Sequence, residues 1–139
     1  MTVLLDTNVV MDALQERKPF DVNAKTILMC SQNGDFDCLF TANAAADIFY
    51  LYSKARDTKS AKTVLEFLLK HYGVISVTQE DCLNALTLPI DDFEDALVVC
   101  CAKKAKVDYI VTRDVEMLNL NLLTRVISPS AFLEQRNIV

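Results

Sequence analysis

Short apolar runs alternate along this chain with longer segments whose apolar positions recur every three or four residues. The runs read as buried strands and the longer segments as helices. Residues 2–6 form a first strand that leads into a short helix over 7–15. Glu16-Arg17-Lys18-Pro19 is a charged loop, and Asp21 is placed to cap a helix through Gln32, stopped by Asn33-Gly34. Residues 38–41 are a second strand. A helix follows over 42–55, with Ala44, Ile48, Leu51, Tyr52 and Ala55 on one face. Thr58 is placed to cap the next helix, which ends near Tyr72-Gly73. Residues 74–77 make a third strand, and the helix over 79–86 is closed by Pro89. The segment 92–106 is apolar on nearly all sides from Phe93 to Ala102, which predicts a buried helix. A fourth strand spans 109–112, a short helix follows Asp114, residues 125–127 suit an edge strand, and Ser130 opens a last helical turn.

Strands alternating with helices predict an α/β fold. The expected architecture is three-layer α/β/α, with a central, mainly parallel sheet of four to five strands. No linker, repeat or low-complexity tract divides the chain, so residues 1–139 are expected to form a single domain. The helix pair 42–55 and 58–72 is a candidate projecting arm and partner surface.

Composition narrows the class. Hydrophobic residues make up 52% of the chain, enough for one core, and only two glycines and three prolines argue against disorder or a turn-rich sandwich. No apolar run reaches the roughly 18 residues that span a membrane, and no basic leader precedes the first strand. The five cysteines form no C-x-x-C pair. They are expected to be reduced and structural, which points to the cytoplasm. The net charge of −5 argues against bulk electrostatic coating of nucleic acid, so such a substrate must be held by a few local cations.

The candidate chemistry lies in the acids. Asp6 ends the first strand and Asp114 follows the fourth, where ligands bind in open α/β sheets; each also suits a helix N-cap. Asn8 can orient Asp6. Asp47 shares a helix face with Asn43, Tyr50 and Lys54, a face that is either solvated or turned to a cleft. Asp91-Asp92-Phe93-Glu94-Asp95 crowds four acids at one helix start, where the helix dipole favours them. Asp91 and Glu94 have capping-box-like spacing and read as structural. Asp92 is open to either role. Asp95 borders the apolar face and needs a partner or a cation. Together these acids would repel unless protonated or bridged by Mg²⁺ or Mn²⁺, ions that favour oxygen ligands. The single histidine, His71, reads as a surface residue.

Leu4-Leu-Asp6-Thr-Asn8-Val, Asp92-Phe-Glu-Asp95-Ala-Leu and Ile110-Val-Thr112-Arg-Asp114 occur in an order and spacing that resemble a PIN domain, the fold of VapC-type toxins and related ribonucleases. The resemblance runs over essentially the whole chain. It implies a four-acid site at Asp6, Asp47, Asp95 and Asp114, with Asn8, Asp92 and Thr112 in support and Asp6, Asp95 and Asp114 as metal ligands. Asp47 stands where the family often has glutamate, one methylene longer. The resemblance further implies Mg²⁺- or Mn²⁺-dependent cleavage of RNA, a small antitoxin partner and a homodimer. Arg17, Lys18, Lys54 and Arg113 are candidate RNA contacts.

Two other readings stay open. One is a PIN-fold protein- or RNA-binding module without catalysis, its acids serving as caps. The other is a phosphotransfer protein. A haloacid-dehalogenase-like phosphatase wants an aspartate where this chain has Asn8, and a receiver domain wants one after the third strand, at Val77-Thr78.

Overall fold

In the computed structural model, which describes residues 1–122 and 124–138, five parallel strands form one sheet in the order β3-β2-β1-β4-β5. The strands are β1 (Thr2–Leu5), β2 (Asp37–Thr41), β3 (Gly73–Ile75), β4 (Tyr109–Val111) and β5 (Arg125–Ile127). The helices are α1 (Thr7–Leu14), α2 (Asp21–Gln32), α3 (Ala42–Ala55), α4 (Thr58–His71), α5 (Gln79–Leu86), α6 (Phe93–Ala105), α7 (Val115–Leu118) and α8 (Pro129–Gln135). This is the expected α/β/α sandwich.

Alternation along the strands divides the core. Val3, Leu5, Phe40, Tyr109 and Val111 pack on one face with residues of α1, α2, α3, α4 and α8. Leu4 and Ile110 point the other way, onto α5, α6 and α7. Because β1 is covered on both sides, it carries Val3, Leu4 and Leu5 with almost no exposure. The chain winds outward from β1 through β2 to β3, then returns to β4 on the opposite side. The carboxyl ends of β1 and β4 therefore flank the switch point of the sheet, where a crevice opens.

Several boundaries differ from the sequence reading. Asp21 is the first residue of α2 rather than its cap, and Phe20 at the cap makes no side-chain bond. Asp57, not Thr58, caps α4 by accepting from Ser60 N. Ser128 caps α8, so the helix starts at Pro129, just before Ser130. The box spacing of Asp91 and Glu94 is not used; Asp92 caps α6 and accepts from Asp95 N at 3.0 Å. β3 starts at Gly73, where a Cβ would fall 2.3 Å from Leu39 Cδ2 on the neighbouring strand. The pair α3–α4 is docked, with Ala61 and Leu68 buried beside Ile48 and Tyr52, while Ala55 is exposed.

Candidate active site

β1 delivers Asp6 to the switch point. Its backbone N–H bonds Val111 O at 3.0 Å, tying it to the end of β4. Its carboxylate caps α1, accepting from Thr7 N at 2.8 Å through Oδ1. Oδ2 accepts from the Thr112 hydroxyl at 2.8 Å and from Asn8 Nδ2 at 3.4 Å. Thr112 is fully buried, and its Oγ1 also accepts from Asp114 N at 3.1 Å and from Asn8 Nδ2 at 3.4 Å. One hydroxyl thus locks the exits of β1 and β4 together. Asp114 caps α7 through Glu116 N.

A cleft of about 440 Å³ opens over this junction, and Asp6, Asp47, Asp92, Glu94, Asp95 and Asp114 all line it. α3 brings Asn43, Asp47 and Tyr50 to the wall, so the polar face of that helix turns to the cleft. α6 contributes Asp92, Glu94 and Asp95 from its first turn. Asp91 instead borders a smaller hollow with Pro89 and Glu116.

Burial and neighbouring acids raise the proton affinity of Asp6, Asp95 and Glu94. Burial pushes the Asp6 carboxyl above its ordinary value, against the hydrogen bonds from Thr112 and Thr7, and the charges of Asp114 and Asp92 add to the rise. Asp95 is pushed up to about 6, by burial first and then by Asp92, Asp114 and Asp6. Glu94 is pushed up to about 7, first by a hydrogen bond shared with the Asp47 side chain, then by burial and by the charges of Asp47, Asp92 and Asp6.

The residues suit a hard divalent cation. The donors are oxygen throughout, and their mutual repulsion is what such an ion relieves. Asn8 and Asn43, both on the cleft, each have a buried Oδ1 without a hydrogen-bond partner among the described residues, as acceptors facing a hydrated ion would. Among the described residues, no three acidic, cysteine or histidine side chains are gathered tightly enough to enclose an ion as they stand. Binding would therefore require side-chain movement toward the ion.

The expected cations separate. Arg17 lines the cleft, held by Gln15 Oε1 at 2.8 and 3.1 Å. Lys54 lies outside the lining, its Nζ 5.8 Å from the centroid of the Tyr50 ring. Lys18 is exposed and away from the lining. Arg113 forms a two-pronged pair with Asp12, Nε to Oδ2 at 2.6 Å and Nη2 to Oδ1 at 3.0 Å, and covers Phe20 with Cζ 4.2 Å from the ring centroid.

Two residues escape the sequence reading. Glu94 reads as a capping residue but reaches the cleft. Asp12 is 1% exposed inside α1 and anchors Arg113; its signal was a charge within the apolar run Val9-Val10-Met11-Asp12-Ala13. All five cysteines are free, and no helix among the described residues is long and apolar enough to cross a membrane.

A family model described as PIN domain matches residues 2–116. No curated protein matches the chain. Several solved structures share its fold. A chain of VapBC2 from Rickettsia felis, bound to a DNA fragment from their promoter, is 15% identical with a TM-score of 0.66, covering 91% of this chain and 97% of that one. A toxin–antitoxin complex from Klebsiella pneumoniae gives 17%, 0.68, 91% and 97%. VapBC-1 from nontypeable Haemophilus influenzae gives 15%, 0.67, 94% and 99%.

Proposed function

The chain belongs to the PIN domain family, and from that premise we propose that it is a Mg²⁺- or Mn²⁺-dependent endoribonuclease, the toxin of a toxin–antitoxin pair. The carrying observation is that acids far apart in sequence line one cleft at the switch point of the sheet. Asp6, Asp95 and Asp114 would hold the ion, with Asp47 and Glu94 beside them. When bound, such an ion polarises a phosphoryl oxygen and acidifies a water.

The chain's own groups have separate tasks. Asp6 is held in one orientation by Thr7 N and Thr112 Oγ1, so little reorganisation accompanies its use as a ligand. Glu94, which lies against Asp47 and is pushed up to about 7, is matched to accept a proton from an attacking water near neutral pH. Arg17 is the cation on the cleft that can meet a phosphate. Asn8 and Thr112 are supports, and Asp92 fixes the first turn of α6 on which Asp95 sits.

The toxin assignment rests on the family and on neighbours drawn from toxin–antitoxin complexes. A small antitoxin would reach the acidic cleft with a cationic segment, and the working unit would be a cytoplasmic homodimer. The fact that Asp6, Asp92 and Asp114 all serve as N-caps favours one second reading, a PIN-fold binding module without catalysis.

The test is cleavage of a mixed RNA pool with Mg²⁺ or Mn²⁺ by wild type, Asp6→Asn and Asp95→Asn. Each variant should lose at least about 100-fold, since even outer-shell partners of a metal site cost 10- to 100-fold. Equal cleavage by all three would remove the site. Absence of cleavage by any of them, with melting unmoved by Mn²⁺, would favour the module.

A further inference from the structure

Among the described residues Tyr50 is the only aromatic one lining the acidic cleft, and it is 62% exposed. The buried residues of its helix, Ala44, Ile48 and Tyr52, turn to the core, so the ring is not part of the packing of α3. It follows Asp47 by three positions on the cleft side, about 4.5 Å further along the helix axis. Lys54, one turn on, holds its ammonium 5.8 Å from the ring centroid. That ammonium lies over one face of the exposed ring and leaves the other for stacking, and an aromatic face paired with a cation is how proteins hold single-stranded nucleic acid.

We infer that Tyr50 is the platform on which an unpaired base of the substrate stacks, next to the phosphate that faces Asp47, with Lys54 meeting the backbone of that nucleotide. The inference takes its substrate, RNA, from the nuclease reading above and narrows it to single-stranded segments. A paired base lies inside a helical stack and cannot present its face to the ring. Tyr50 selects which strand enters; it touches no reacting atom and is a positioning residue. The cleft, with its net acidity, gains affinity through stacking where it has few cations to offer.

The experiment has two arms on the full chain. In the first, steady-state cleavage of a single-stranded oligonucleotide with Mn²⁺ compares wild type with Tyr50→Ala, Tyr50→Leu and Tyr50→Phe. Tyr50→Ala should raise KM by about 5- to 150-fold, the range of one lost base stack, with kcat little changed. Tyr50→Phe should match wild type, because stacking needs the ring and not the hydroxyl. Tyr50→Leu should resemble Tyr50→Ala, which separates stacking from mere apolar bulk. An abasic substitution beside the cut site should erase the difference between wild type and Tyr50→Ala. Thermal melts of the variants should stay within a few degrees of wild type, since the ring is exposed. In the second arm, anisotropy reads binding of the same oligonucleotide in Ca²⁺, where no turnover is required. Loss of binding in Tyr50→Ala supports the platform even if no cleavage occurs, in which case the nuclease reading fails alone. Cleavage with unchanged KM and binding in Tyr50→Ala, or a Tyr50→Phe as defective as Tyr50→Ala, overturns the platform while the nuclease reading stands. No binding of single-stranded RNA by wild type overturns the platform, and only the added absence of cleavage of a mixed RNA pool removes the nuclease reading with it.

Discussion

Replacing Arg113 with leucine should destabilise the fold by about 3 kcal/mol, the low end of the cost of stranding one member of a buried ion pair. Asp12 is 1% exposed and takes both prongs of the Arg113 guanidinium, at 2.6 and 3.0 Å. The nearest remaining cation is Arg17, whose Nη1 lies 3.9 Å from Asp12 Oδ1 and which is already engaged by Gln15. The Arg113 side chain is 32% exposed, so solvent weakens the pair and the upper end of the range is not expected. For a chain of this length the entropy of unfolding converts 3 kcal/mol into a fall in Tm of about 10 °C. Arg113→Lys keeps the charge but loses the fork, and should cost roughly a third as much. The decisive variant is the double replacement Asp12→Leu with Arg113→Leu, which leaves no stranded charge and should recover most of the loss. Urea denaturation of wild type, Arg113→Leu, Asp12→Leu and the double variant closes the cycle and gives the coupling energy. A fall in Tm below about 2 °C in Arg113→Leu, or a double variant less stable than the single, would refute the role assigned to this pair. The result also bears on RNA, since a guanidinium committed to Asp12 has little left for a phosphate.

Three further outcomes follow from the same cleft. An acid whose folded pKa is raised binds more protons folded than unfolded between the two values, so stability falls as pH rises through that window. For Asp95 the window runs from 3.8 to about 6 and for Glu94 from 4.5 to about 7; in EDTA the urea midpoint should therefore be lower at pH 8 than at pH 5, and Glu94→Gln should narrow the gap. Mn²⁺ at about 100 times its dissociation constant should add roughly 2.7 kcal/mol at pH 8, an upward shift in Tm of about 9 °C that Asp6→Asn abolishes; an equal shift in both proteins would place the ion elsewhere. Thr112→Val removes the hydroxyl shared by Asp6, Asn8 and Asp114 N. It should cost about 1–3 kcal/mol by leaving buried groups unpaired and should weaken Mn²⁺ binding in a calorimetric titration; unaltered binding would show that Asp6 needs no such support.

Periodicity alone determined the elements and their class. A run such as Val3-Leu4-Leu5 has no polar face, so it had to lie inside a sheet covered on both sides, and the alternation of such runs with helices required a parallel sheet. The strand-end positions of Asp6 and Asp114 were likewise legible, because an apolar run that stops at an acid marks where the chain leaves the core. Cap positions were read less well. Asp21 and Thr58 each missed by one residue: at α4 the adjacent Asp57 satisfies the same rule, and at α2 the helix begins after Phe20 with no side-chain cap, which no polar signal could mark.

What tertiary structure decided is which polar groups meet. In sequence Glu94 looked like half of a capping box, and Arg113 looked like a free cation beside an acid. Folding took the cap at Asp92 and turned Glu94 toward Asp47, a residue contributed by α3. It buried Asp12 and drew Arg113 onto it across about a hundred residues of chain. Local pattern records the free energy of burying apolar surface, which is spread over many residues and leaves a periodic trace. A charge pair or a carboxyl–carboxyl contact depends on a few ångströms between groups brought together by the strand order β3-β2-β1-β4-β5, and that distance leaves no trace in the spacing of either partner.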